Sequence, residues 1–177
     1  MLLAIDTSTQ WVGLALFDGA QAAGEMLWRT QHHHTVELAP TVQALLQRCG
    51  VTPKDLSALA VALGPGSFTS LRIGLALAKG MALALNLPVV GIPTLDIQAY
   101  AQPVLELPLI SVLQSGRGRL AVGLYANVMG AWQPFRMFQP FTNSIENNGL
   151  AVLSPFGTPE VKEAMAKQGN TISISTC

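Results

Sequence analysis

The feature that most constrains this chain is the run from Ser57 to Ile92, where strand, glycine turn, long helix and strand follow one another directly. "SALAVAL" (Ser57–Leu63) is short and continuously apolar, the pattern of a strand covered on both faces. "GPGSFT" (Gly64–Thr69) breaks that strand, and Thr69–Leu85 then runs at helical spacing. "PVVGI" (Pro88–Ile92) is strand again. A strand, a crossover helix and a second strand normally make two parallel strands of one sheet with a right-handed connection. An α/β fold is the expectation.

The crossover helix is unusual in how little polar surface it has. At 100° per residue, Ser70, Ile73, Gly74, Leu77, Met81 and Ala84 share one face. Leu71, Leu75, Ala78 and Ala82 continue the apolar arc, and only Arg72 and Lys79 form a polar stripe. Such a helix must be covered from more than one direction. Its own sheet supplies one cover, and a second protein is expected to supply the other. Ser70 and Gly74, one turn apart, are expected to let a partner helix approach closely, with Leu77 and Met81 extending the contact. A glycine inside a helix costs roughly 1 kcal/mol relative to alanine, and close packing would explain Gly74. The competing explanation is packing against the chain's own earlier helix. Composition points the same way: half of the residues are hydrophobic and only 11% are charged, against about 25% in an ordinary soluble domain.

Upstream, "LLAID" (Leu2–Asp6), "WVGLALF" (Trp11–Phe17) and "AAGEMLWRT" (Ala22–Thr30) predict a three-stranded antiparallel meander with a turn at Asp18-Gly19. The period then changes. Leu38, Val42, Leu45, Leu46 and Cys49 fall on one face of a helix over Thr35–Cys49, with Thr35 as N-cap, Pro40 just inside the helix and bending its first turn, and Gly50 at the C′ position. The order is βββαβαβ, followed by a short helix over Asp96–Ala101. Downstream, strands are expected at Leu107–Leu113, Leu120–Ala126, Trp132–Phe138, Leu150–Ser154 and Thr171–Ser175, with a helix at Pro159–Lys167 and loop over Gln139–Gly149. The seam near Tyr100–Pro108 divides the chain into an N-terminal lobe, 1–102, and a smaller C-terminal lobe, 103–177.

The candidate chemical motifs carry little. "GPGSFTSL" lacks the lysine of a phosphate loop, and Lys79 is too far along the helix to supply it. Ser67 has no G-x-S-x-G elbow and no histidine downstream to serve as its base. His32 to His34 are consecutive, so their side chains diverge, and no second cluster completes a metal set. Gly116–Arg119 is a basic turn, and ten basic against ten acidic residues leave no nucleic-acid footprint. Cys49 on an apolar helix face is expected as a buried free thiol, in keeping with a reducing cytosol. The N-terminus reaches Asp6, Thr7, Ser8 and Thr9 too early for a signal peptide. Leu71–Val90 is interrupted by Arg72, Lys79, Asn86 and Pro88 and is expected to be a poor membrane span. "DTST" (Asp6–Thr9), at the end of the first strand, allows contact with a phosphate and a hydrated metal through Asp6, Ser8 and Thr9. Its alternative is a turn whose side chains satisfy their own backbone.

Taken together and in order, "LLAIDTSTQWVGLAL", "HHHTVELAP" and "AVALGPGSFTSLRIGLALAKGMALALNLPVVGIPTLD" closely resemble the TsaB (YeaZ) family. The resemblance spans roughly residues 1 to 100. It implies an actin-like ATPase (ASKHA, ribonuclease H-like) fold of two lobes, the second reduced here. It implies a non-catalytic scaffold in the synthesis of threonylcarbamoyladenosine on tRNA, bound to a catalytic TsaD paralogue, with a TsaE ATPase joining. The interface is expected on Thr35–Cys49 and Thr69–Leu85, at Thr41, Ala44, Ser70, Ile73, Gly74, Leu77 and Met81, a surface also open to homodimerisation. ATP and metal are expected on the partner subunits, tRNA only through the complex, and no membrane contact. The paralogue's H-x-x-x-H metal pair has no counterpart in this chain. Ser70 replaces the family's usual glycine, and Gln114–Arg117 stands where its D-A-R motif is expected. The rival reading is an ATP-dependent phosphotransferase or ATPase of the same fold.

Overall fold

The computed structural model describes residues 1–30, 34–115 and 120–141. The chain opens with the expected meander, β1 (Leu2–Asp6), β2 (Trp11–Phe17) and β3 (Ala22–Arg29), paired antiparallel in that order. Strand alternation sends Leu3 and Ile5 of β1 and Val12, Leu14 and Leu16 of β2 to one face, where all are buried. Helix α1 (His34–Arg48) lays Leu38, Val42, Leu45 and Leu46 onto that face. It begins one residue before Thr35, so Thr35 lies inside the first turn instead of capping it, and Pro40 lies inside the helix as expected. The far end closes as expected. Gly50 takes φ +66, its N–H donates to the Gln47 carbonyl (3.1 Å) and the Val51 N–H to that of Leu46 (2.9 Å), a Schellman cap. Cys49 is a free thiol but only half-buried.

After a 3₁₀ turn at Pro53–Asp55 come β4 (Ala58–Gly64), α2 (Phe68–Leu85) and β5 (Val89–Pro93). β4 runs parallel to both β1 and β5, which gives the sheet order β3-β2-β1-β4-β5. Helix α2 covers β1 and β4 on the same side as α1, and Asn86 in the left-handed region ends it. With a mean hydropathy of 1.4 over 18 residues, α2 is by length and composition apolar enough to cross a membrane. The sequence expectation differed because it counted Asn86 and Pro88, which lie past the helix end.

Helix α3 (Thr94–Tyr100) leaves β5 without a linker and packs Leu95 and Ala99 against a second sheet, β6 (Leu109–Gln114), β7 (Leu120–Val128) and β8 (Ala131–Phe141). All three strands are antiparallel in sequence order. Positive φ at Met129 (+53) and Gly130 (+81) makes the β7–β8 connection a two-residue turn that fixes the register. β8 therefore runs on until Phe141 pairs with Leu120, entering the stretch expected to be loop from Gln139. Inside this core the Tyr125 hydroxyl donates to Asp96 Oδ1 (2.6 Å) and Trp132 Nε1 to the Gln102 carbonyl (3.2 Å). Burial, reinforced by the Asp96 carboxylate, pushes the Tyr125 hydroxyl far above the usual tyrosine range. His32, His33, the basic turn Gly116–Arg119 and the elements expected after residue 141 lie outside the described residues.

Candidate protein interface

The two glycine- and hydroxyl-rich turns meet at the end of β1. Thr7 is buried, and its Oγ1 donates to the Ser70 carbonyl at 2.8 Å. The Ser67 N–H donates to the Ser8 carbonyl (2.7 Å), and the Ser67 and Ser70 hydroxyls share a hydrogen bond of 2.8 Å. Gly64, at φ +104, makes the turn out of β4, and a Cβ on Gly66 would collide with the Ser8 carbonyl. The first turns of α2 are thus seated on the tip of β1.

This seating corrects one expectation. Ser70 is 5% exposed and Gly74 is buried, and a Cβ on Gly74 would collide with Thr7 Oγ1. The close approach that these small residues allow is made by the chain's own sheet. Thr7, not α1, meets Gly74 there. The 3.6-residue period could not reveal this, because Thr7 is distant in sequence and polar.

The turn of Asp6 to Thr9 satisfies its own backbone. Asp6 Oδ1 accepts the Ser8 N–H (2.8 Å), and Thr9 Oγ1 accepts the Trp11 N–H (2.9 Å). Ser8 Oγ is buried and has no hydrogen-bond partner among the described residues. Asp6 and Thr9 are thus engaged with their own turn, and Ser8 Oγ is shut from solvent. Among the described residues no three His, Cys, Asp or Glu side chains are grouped to hold a metal ion.

The opposite side of α2 is open. Only Ser70, Gly74 and Ala78 of its residues are buried. Ile73, Leu77 and Met81 are half-buried, packed at the margin of the core. Leu83 is 87% and Phe68 67% exposed, with the Arg72 guanidinium 3.7 Å from the Phe68 ring centroid. Ala76, Gly80 and Ala84 lie exposed, and a Cβ on Gly80 would meet nothing within 4 Å. On α1, Val36 is exposed and Ala44 half-buried. Thr41 sits on the other flank, in a groove of about 560 Å³ between α1 and β3 lined by Glu25, Met26, Leu27, Trp28, Glu37, Pro40 and Thr41. Its Oγ1 donates to the Glu37 carbonyl (2.7 Å), and Trp28 Nε1 donates to Glu37 Oε2 (3.0 Å). Sequence reasoning missed Thr7, Phe68, Gly80 and Leu83. The spacing of Ala76 and Gly80 was the signal for the outer face, and Ala84, expected on the face of Ser70 and Gly74, is exposed instead.

Comparisons with known proteins bear on the fold and the family. The family described as TsaD, tRNA N6-adenosine threonylcarbamoyltransferase, matches residues 28–132. The tRNA threonylcarbamoyladenosine biosynthesis protein TsaB of Bacillus subtilis is 36% identical over 124 residues, which is 70% of this chain and 54% of the relative. Its Escherichia coli namesake is 43% identical over 95 residues, 53% of this chain and 40% of the relative. The chain thus spans about half the length of the curated relatives it matches. The solved structure of YeaZ from Pseudomonas aeruginosa superposes with a TM-score of 0.70 at 26% identity, over 83% of this chain and 71% of that one.

Proposed function

The chain belongs to the TsaB (YeaZ) family, and from that premise we propose that it is a non-catalytic subunit that holds a TsaD-type paralogue in working arrangement during threonylcarbamoyladenosine synthesis on tRNA. Its fold is of the actin-like (ASKHA, ribonuclease H-like) α/β class. In this reading residues 1–102 form the partner-binding lobe and 103–177 a reduced second lobe. A TsaE-type ATPase joins the assembly, and ATP and metal belong to the partners.

The observation that carries the reading is α2, an apolar helix of which one side alone is buried. Leaving Leu83, Phe68 and the small Ala76, Gly80 and Ala84 in water gains nothing for a lone domain, whereas a second helix could bury them at close range. The half-buried Ile73, Leu77 and Met81 form the shoulder of that contact, and Ser70 and Gly74 act beneath it by fixing the height of α2 above the sheet. Ala44 and Thr41 mark the side contributed by α1.

The test is co-purification with the TsaD-type protein of the same organism. Gly80→Leu and Leu83→Glu are each expected to weaken binding at least about tenfold, roughly 1.4 kcal/mol, with the melting temperature kept by Leu83→Glu and kept or raised by Gly80→Leu. Unchanged binding by both variants sinks the assignment. The phosphotransferase reading is separated by calorimetry with MgATP, where micromolar binding to the isolated chain would promote it.

A further inference from the structure

We propose that the groove between β3 and α1 binds an extended basic segment of another protein, which adds as a strand to the free edge of β3. Among the described residues β3 has a neighbour, β2, on one side only. Such an edge offers a row of unpaired backbone groups, and proteins commonly blunt it with proline, lysine or a bulge. From Ala23 to Arg29 there is no proline and no lysine, and the one register irregularity against β2 lies at the far end, by Ala22. A groove of about 560 Å³ runs beside this edge, walled by β3 on one side and α1 on the other. Edge addition takes its affinity from main-chain hydrogen bonds and its specificity from sites for alternate side chains. This place offers both.

The hydrogen-bond parity fixes how such a strand sits. The Thr30 N–H donates to the Gln10 carbonyl (2.9 Å), so the pair Gln10/Thr30 is a hydrogen-bonded one. By alternation, Gly24, Met26 and Trp28 direct their backbone groups to β2, and Glu25, Leu27 and Arg29 direct theirs outward. An incoming strand therefore bonds to Glu25, Leu27 and Arg29. Its residues opposite Met26 and Trp28 are two apart and send their side chains to the helix side, into the groove. Those in between lie with the exposed Leu27 on the outer face, toward water.

The lining of the groove decides which side chains suit it. Met26, Trp28 and Pro40 supply apolar surface, and the charges are Glu37 on α1 and the exposed Glu25 at the lip. Among the described residues no lysine or arginine lines it. Trp28 Nε1 donates to Glu37 Oε2 (3.0 Å), which brings the carboxylate to the edge of the indole. A guanidinium or ammonium laid on the Trp28 ring meets that carboxylate as well, joining a cation–π contact to an ion pair. Its apolar stem lies along Met26 and Pro40. Arg29 is exposed on the outer face and reaches Gln10 Oε1 at 3.1 Å. The occupant is thus an extended segment with an arginine or lysine beside Trp28 and an apolar residue, two positions away, beside Met26. Thr41 borders the groove but the outer arc of α2 does not, so this site and the proposed partner contact fail independently.

Fluorescence anisotropy on the full chain tests the site with a labelled heptapeptide, capped at both ends. Threonine occupies its odd positions, and valine, arginine and valine its even ones. Wild type is expected to bind it at least about tenfold more tightly than the same peptide with glutamate replacing arginine. Glu37→Lys is expected to reverse that preference, which a merely misfolded variant would not do. Leu27→Pro removes an outward N–H and no bond to β2, so it is expected to weaken binding at least about tenfold with the melting temperature kept. Leu83→Glu, on the far side, is expected to bind the peptide as wild type does. A wild-type chain that binds neither peptide, or both alike, overturns the inference. So does a Glu37→Lys variant that keeps the wild-type preference, a Leu27→Pro variant that binds as tightly as wild type, or a Leu83→Glu variant that loses the peptide. Peptide affinity that falls as the protein concentration rises would assign the groove to a second copy of this chain and overturn it too.

Discussion

Gly74 and Gly80 lie within two turns of each other on α2, yet they face opposite environments. The backbone of Gly74 rests on Thr7, where one added carbon would collide with a buried hydroxyl already bonded to the Ser70 carbonyl. The backbone of Gly80 faces open space. One glycine sets how close the helix lies to its own sheet, and the other leaves a low place on the far side. The same small residue, read from sequence, carries opposite consequences for stability and for association. That difference also explains how a helix apolar but for Arg72 and Lys79 serves one domain: one side of it makes the fold, and the other is left exposed.

The largest expected effect comes from filling the inner side. Gly74→Leu should lose about 3 kcal/mol or more through overpacking, measured by chemical denaturation, and so cannot serve as an interface probe. Gly74→Ala should also destabilise. Adding Thr7→Ala should recover part of that loss, because the colliding atom is gone; strict additivity of the two changes would break the account of the seat. Next in size is Tyr125→Phe, a control far from α2. It removes a partly buried hydrogen bond to a carboxylate and should cost about 1.5–3 kcal/mol. Because the folded Tyr125 hydroxyl titrates above its unfolded value, the stability it adds is complete below about pH 10 and declines as pH rises beyond it. Tyr125→Phe should flatten that alkaline decline in denaturation midpoints. The smallest effect is on the outer side. Gly80→Ala should stabilise the isolated chain by up to about 1 kcal/mol, visible as a higher melting temperature. A destabilised Gly80→Ala would erase the contrast between the two glycines.

Much of the fold was legible because it rests on periodicity. The period-two runs of β1, β2 and β3, the spacing of Leu38, Val42, Leu45 and Leu46, and the strand–helix–strand run to β5 each state their own structure locally. Gly50 announced its cap for the same reason. The errors arose where a boundary depended on a distant partner. β8 extends to Phe141 because Leu120 is there to pair with it, and α1 starts at His34 in spite of a suitable cap at Thr35. The turn of Asp6 to Thr9 left two chemistries open in sequence. Its hydrogen bonds to Ser8 and Trp11 follow the self-satisfied one.

What the sequence determined by itself was the succession of elements and the excess of apolar surface on α2, since both are properties of nearest neighbours along a helix or strand. Which side of α2 would be buried was decided only in three dimensions. Ser70 and Gly74 look from sequence like a landing for another helix. They became the inner face because β1 is followed by Thr7, whose hydroxyl found the Ser70 carbonyl across more than sixty residues of chain.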